Sequence, residues 1–272
     1  MAHIDCSFYS PTLQKNAHVV VFVPSLSADD YLEDRETEYH KPGKRWPTLF
    51  LLHGSYGDCM DWSLRTGVER YAQEKGVAVV MPSAENSNYV KMAHGENYLD
   101  YIGKELPTFL RKIFPLSERR SETYIAGLSM GGYGAFRIAL EFPETFGYAA
   151  SLSGALDMVK LQATGNREAH MRKMPAAYRR AVFDPSVPLE GTRNDLLFLL
   201  GQHAEENTAL PLLYMSCGTE DFILPANESF YETAKARRVS VLYERYPGVH
   251  NWDYWDTHIK DVLRWLPDGT KS

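Results

Sequence analysis

The sequence predicts one α/β domain with a mainly parallel sheet and helices on both faces. Two features carry that expectation. Short apolar runs ending at Gly or Pro alternate with stretches whose apolar residues recur at helical spacing, and a glycine-flanked serine sits where one run gives way to a helix. Continuous apolar runs suit strands covered on both faces, whereas a strand with one wet face alternates. At 272 residues the chain can close a single sizeable core. Its 44% hydrophobic and 24% charged residues are ordinary globular usage and exclude a fibrous or disordered chain.

In chain order, residues 18–26 (HVVVFVPSL) are rich in β-branched residues and read as a strand. Residues 27–46 carry turn formers and charges and read as an exposed connection. The runs PTLFLLHG (47–54) and GVAVVMPSA (76–84) read as buried strands. Between them, Trp62, Leu64, Val68 and Tyr71 have near-helical spacing, with Gly76 as the stop. Residues 96–115 predict a second helix, kinked at Pro107. TYIAG is the next strand, followed by the helix GAFRIALEF, closed by Pro143. Residues 148–154, 210–218 and 239–248 supply further strands, and 252–267 the last helix. Strands that alternate with helices indicate βαβ units. Residues 155–207 break the rhythm with internal Pro, Met and basic residues, and read as an insertion that could cap a site.

The net charge of −6 argues against a nucleic-acid partner, because Arg119-Arg120, Arg179-Arg180 and Arg237-Arg238 are isolated pairs rather than a phosphate track. The N-terminal residues lack the basic and apolar regions of a secretory signal, and no apolar run approaches the roughly 20 residues that span a bilayer. A cytoplasmic protein with no membrane partner is therefore expected. Cys6, Cys59 and Cys217 are few, odd in number and widely spaced, as reduced thiols are.

Gly127-Leu128-Ser129-Met130-Gly131 has the form G-x-S-x-G in the strand-then-helix setting that motif requires. A hydroxyl is a weak nucleophile at neutral pH, so it needs a base and a carboxylate to orient that base. On such a sheet they follow in the order Ser, Asp or Glu, His. Asp221, with Glu220 as rival, and His250 stand on loops after consecutive strands. His258 lies within the last helix and faces the wrong way. An oxyanion would be held by the backbone N–H of Met130 and of Ser55, in the loop His53-Gly54-Ser55. Trp62 and Trp252, with Tyr254 and Trp255, are candidates to line an acyl or leaving-group pocket. Dinucleotide, nucleotide-phosphate and metal-ligand spacings are missing, so neither cofactor nor metal is expected.

The segments LLHGSYGDCMDW, IAGLSMGGYGAFRIAL, CGTEDFILPANESFYE and YPGVHNWDYWDTHI together resemble the putative esterase family, related to S-formylglutathione hydrolase (esterase D) and most like bacterial tributyrin esterases. The resemblance runs from about residue 5 to 267. It implies an α/β-hydrolase fold, no cofactor, and hydrolysis of small-molecule, short-chain acyl esters. It also implies Ser129 as nucleophile, Asp221 as triad acid, His250 as base, and Ser55 and Met130 as oxyanion donors. A homo-oligomer is compatible with it. Relatives include feruloyl and acetylxylan esterases and mycolyl transferases, which leaves the acyl group open. S-formylglutathione hydrolases have SGLTCT in the oxyanion loop, with cysteine three residues after the glycine. Here that position is Gly57, and Cys59 falls two later.

Overall fold

The computed structural model describes residues 1–39, 41–163 and 173–268. Eight strands form one sheet in the order β1-β2-β4-β3-β5-β6-β7-β8. They are β1 Ala2–Ser10, β2 Lys15–Val23, β3 Thr48–Leu52, β4 Ala78–Pro82, β5 Thr123–Leu128, β6 Tyr148–Leu152, β7 Leu212–Gly218 and β8 Val241–Tyr246. From β4 through β8 every neighbouring pair is parallel, while β1 and β2 form an antiparallel hairpin that joins the sheet at β4.

Alternation within the apolar runs explains why both faces are covered. Leu49 and Leu51 face one layer, with Val68, Ala72, Ile259, Val262 and Leu263. Phe50 and Leu52 face the other, with Leu110, Phe136, Phe230 and Leu199. Each such side chain taken fully from water contributes roughly 1.5–3 kcal/mol. Helices Val68–Lys75 and Trp252–Trp265 therefore cover one face, and Leu106–Ile113, Met130–Glu141, Leu196–Glu206 and Leu224–Ala236 the other.

Several local expectations are corrected. Strand β1 was not anticipated; its burial alternates strictly, so it has no continuous apolar run. The connection at 27–46 contains two short helices, Ala28–Leu32 and Glu36–Tyr39, the first opened by a capping box of Ser27 and Asp30. The helix expected before Gly76 is broken in two at Thr66 and Gly67, where the Gly67 N–H donates to Asp256 Oδ1 at 2.9 Å. Pro107 is the second residue of helix Leu106–Ile113. It sits just after a π turn, Tyr101–Glu105, in which the Leu106 N–H reaches back to the Tyr101 carbonyl, and this wider turn accommodates a residue with no N–H of its own.

Within 155–207, helices Met158–Ala163, Ala176–Val182 and Leu196–Glu206 are described, and residues 164–172 lie outside the described residues. This segment is tied to the helix after Ser129: Tyr133 Oη donates to the Asn194 carbonyl at 2.7 Å and Arg137 Nε to Asn194 Oδ1 at 3.1 Å. Among the described residues no helix is long and apolar enough to cross a membrane.

Candidate active site

Register along the parallel strands brings their C-terminal ends to one edge, pairing Leu52 with Gly127 and Leu128 with Leu152. Ser129 stands there, between β5 and helix Met130–Glu141, with φ 52° and ψ −115°. That conformation is rare for a residue with a side chain and persists only when its surroundings enforce it. The Ser129 N–H donates to the Leu152 carbonyl at 2.9 Å, and its own carbonyl accepts from Tyr133 and Ala155. The turn also excludes side chains on either side. A Cβ on Gly127 would collide with the Gly131 carbonyl, and one on Gly131 would lie 2.5 Å from the carbonyl oxygens of Leu52 and His53.

Two loops at the same edge complete a chain of three side chains. His250 Nε2 lies 3.0 Å from Ser129 Oγ, and His250 Nδ1 lies 2.9 Å from Asp221 Oδ2. Asp221 is buried, and its Oδ1 also accepts the Ile223 N–H at 3.0 Å. The imidazole is held between Phe222, 4.7 Å away by ring centroids, and Trp255, which meets it edge-on at 4.9 Å. Trp255 is fixed in turn by its Nε1–H, which donates to Ser153 Oγ at 3.3 Å. Glu220, the rival acid, turns elsewhere: its Oε2 accepts the Gly248 N–H at 2.6 Å, and that bond holds its carboxyl below the usual range. It thereby ties the Asp221 loop to the His250 loop. His258 turns to Asp261 instead, with Nδ1 2.7 Å from Asp261 Oδ2.

The sequence places His53 in the candidate oxyanion loop His53-Gly54-Ser55 without a role for its ring, and its side chain organises that loop. Nδ1–H donates to the Gly54 carbonyl at 2.7 Å, and Nε2 accepts the Ala84 N–H at 3.0 Å. Because Ala84 can only donate, Nε2 carries no proton and the ring is neutral. Burial pushes its pKa down, in keeping with that pattern. In a trans peptide the carbonyl and the following N–H point in opposite directions, so pinning Gly54 O turns the Ser55 N–H away from the imidazole. Tyr89, also unforeseen, donates its hydroxyl to the His53 carbonyl at 2.8 Å from a left-handed position with φ 58°.

Two hollows meet at Ser129. A narrow cavity of about 40 Å³ is lined by Ser55, Met130, Tyr133, Met158, Phe222 and Ile223, among others. A wider cleft of about 330 Å³ is lined by Ser55, Tyr56, Asp61, His250, Trp252 and Trp255. Ser55 thus borders both, and Met130, the first residue of its helix, has an N–H with no partner inside that helix. Of the two candidate pocket tryptophans, Trp252 lines the cleft and Trp62 does not. Only 1% exposed, Trp62 donates its Nε1–H to the Leu52 carbonyl at 3.0 Å and meets Trp252 edge-on from beneath, so it backs the cleft instead of lining it. Cys59 is buried beside His18, with Sγ 3.6 Å from Nδ1, and borders neither hollow. Among the described residues no group of three or more His, Cys, Asp and Glu is placed to hold a metal.

A family model described as Putative esterase matches residues 35–266, most of the chain. The chain belongs to this esterase family. An acetyl esterase of Caldicellulosiruptor saccharolyticus is 33% identical over 268 residues, covering 98% of each chain. Among solved structures, the Staphylococcus aureus fluorophosphonate-binding serine hydrolase FphF superposes with a TM-score of 0.85 at 31% identity, over 97% of this chain and 98% of that one. The S-formylglutathione hydrolase FrmB of Staphylococcus aureus gives 0.83 at 32% identity, with the same coverage. The fold is accordingly the α/β-hydrolase fold, and the esterase is a carboxylic ester hydrolase of the serine type. Gly127 and Gly131, with Ser129 between them, show how the family's strand-to-helix turn is built in this member.

Proposed function

We propose that this esterase hydrolyses short-chain acyl esters through an acyl-enzyme on Ser129. The observation that carries the reading is the unbroken link from Asp221 through His250 to Ser129 Oγ, at 2.9 and 3.0 Å. Asp221 holds Nδ1 protonated, which leaves Nε2 free to take the serine proton as Oγ attacks the ester carbonyl. The developing oxyanion is held by the Ser55 and Met130 N–H groups. His250 then returns its proton to the leaving alcohol, and water repeats the sequence on the acyl group.

The two hollows divide the ester between them. His250 lines the cleft and not the narrow cavity, so the leaving alcohol, which receives its proton, occupies the cleft. The acyl chain then enters the narrow apolar cavity. Its small volume, about 40 Å³, and its walls of Met130, Tyr133, Met158, Leu161 and Ile223 favour short acyl groups such as acetyl to butyryl. A tributyrin-type preference belongs to this reading. So does a cytoplasmic site of action, supported by three unpaired cysteines.

Likeness to FrmB favours a second reading, S-formylglutathione hydrolysis at the same serine. Kinetics on 4-nitrophenyl esters from acetyl to octanoyl, alongside S-formylglutathione, separate the two. The short-ester reading expects kcat/KM to peak between acetyl and butyryl and to exceed that of the thioester. Ser129→Ala should abolish both the acyl burst and fluorophosphonate labelling, and full activity in that variant would remove Ser129 from the mechanism.

A further inference from the structure

The cleft carries one charged side chain that the triad chemistry does not use. Asp61 lies in the short helix Asp61–Arg65 and borders the cleft together with Tyr56, Trp252 and Trp255, its side chain about one-fifth exposed. Its place depends on Gly57: a Cβ on residue 57 would collide with Asp61 Oδ2. The position at which the thioester hydrolases have cysteine is therefore bare here, and a carboxylate fills the room. Arg65 pairs with the other oxygen, Nε to Oδ1 at 3.4 Å, and its guanidinium lies 5.6 Å from the Trp252 ring centroid. Arg65 is mostly exposed and does not line the cleft, so a bound group is nearer the anion than the cation of this pair. Asp253, approached by Asn251 Nδ2 at 3.4 Å, adds a further negative charge beside Trp252.

We propose that Asp61 is a specificity-determining residue that selects the alcohol by charge. Resting on the reading of Ser129 as the reacting residue and of the cleft as the leaving-group side, this means that uncharged and cationic alcohols are accepted and anionic ones rejected. A glutathione thioester, whose leaving group carries two carboxylates and one ammonium, belongs to the rejected class. Arg65 tempers the effect from outside.

The test compares three acetyl esters that differ in leaving-group charge: acetylthiocholine, 4-nitrophenyl acetate and 4-acetoxybenzoate. A unit charge about 6 Å from the carboxylate, at an effective dielectric constant of roughly 40, changes kcat/KM about tenfold. Asp61→Asn should accordingly slow the cationic ester and speed the anionic one by up to about tenfold each, lowering the cation-to-anion ratio of kcat/KM by up to about a hundredfold at low ionic strength. Arg65→Gln should raise it by about threefold, being farther from the bound group and more screened. Raising salt should move the wild-type ratio toward that of Asp61→Asn. A merely structural role for Asp61 would shift all three esters by one common factor, and that result would overturn the proposal. A wild-type ratio insensitive to salt would do the same even if Asp61→Asn failed to fold. Wild-type protein that neither hydrolyses any of the three esters nor takes a fluorophosphonate label would instead overturn the esterase reading of Ser129, and this inference with it.

Discussion

His53→Phe keeps a flat ring in a site only 1% exposed while removing both of its hydrogen bonds. The Ala84 N–H loses its acceptor inside the protein, and Gly54 O keeps only a weaker bond from the Gly57 N–H at 3.3 Å. A buried backbone group left unmatched costs about 1–3 kcal/mol, so one such group and part of another amount to about 2–4 kcal/mol. For a chain of this size that lowers Tm by roughly 5–15 °C. Catalysis should suffer separately, because the Gly54–Ser55 peptide is no longer pinned. If Ser55 supplies one oxyanion donor, its misalignment costs up to about 10²–10³ in kcat, with KM much less affected. The pH dependence distinguishes this from loss of packing. Burial lowers the His53 pKa, so below the unfolded value of about 6.5 the unfolded chain binds a proton that the native one refuses. The stabilisation is complete above that pH and declines as pH falls toward the folded value, by about 1.4 kcal/mol per pH unit at most. Thermal melts between pH 5 and 8 should show a wild-type decline toward acid that is shallower in His53→Phe. Wild-type kcat on 4-nitrophenyl acetate at a permissive temperature would refute the role given to this imidazole.

Asp221→Asn should lower kcat by about 10⁴ with little change in stability. The Ile223 N–H selects the amide oxygen of the new side chain, so its NH₂ faces His250 Nδ1 and forces the proton onto Nε2, which can then no longer accept from Ser129. Turnover near wild type in a burst assay would move the acid role to another residue. Gly127→Ala should lower stability by about 1–3 kcal/mol and lose the acyl burst, since the new methyl meets the Gly131 backbone and not a movable side chain. An active, equally stable variant would show that the turn tolerates a Cβ.

Much of the sheet was legible because its middle strands are buried on both faces and so read as continuous apolar runs, as TLFLL and AVVMP do. The elements that escaped are those for which local pattern and tertiary packing disagree. β1 alternates because one side is wet. Helix Leu224–Ala236 begins with Leu224 and Pro225 and continues through Asn227, Glu228 and Ser229, a polar sequence that yields no clear stripe, although Ala226, Phe230 and Ala234 are buried. The π turn before Pro107 depends on a choice of hydrogen-bond register, which side-chain periodicity does not encode.

At the candidate site, the readable residues were those whose chemistry fixes their type: a serine between glycines, and an acid and a histidine at later strand ends. Residues that hold this group in place left weaker traces. His53 acts through two backbone partners, Gly54 and Ala84, that only the folded loop brings to its ring, and Tyr89 reaches the same loop across 36 residues of sequence. Trp62 shows the opposite error, a large aromatic near the motif whose indole N–H is already engaged by the Leu52 carbonyl. An indole satisfied inside the core has no donor left for substrate, whereas Trp252 meets Trp62 edge-on and lines the cleft. Trp62→Phe should therefore act through Trp252, changing the cleft's choice of alcohol more than its choice of acyl chain. Equal losses across an acyl-length series and a leaving-group series would show that Trp62 supports the whole site and not this one wall.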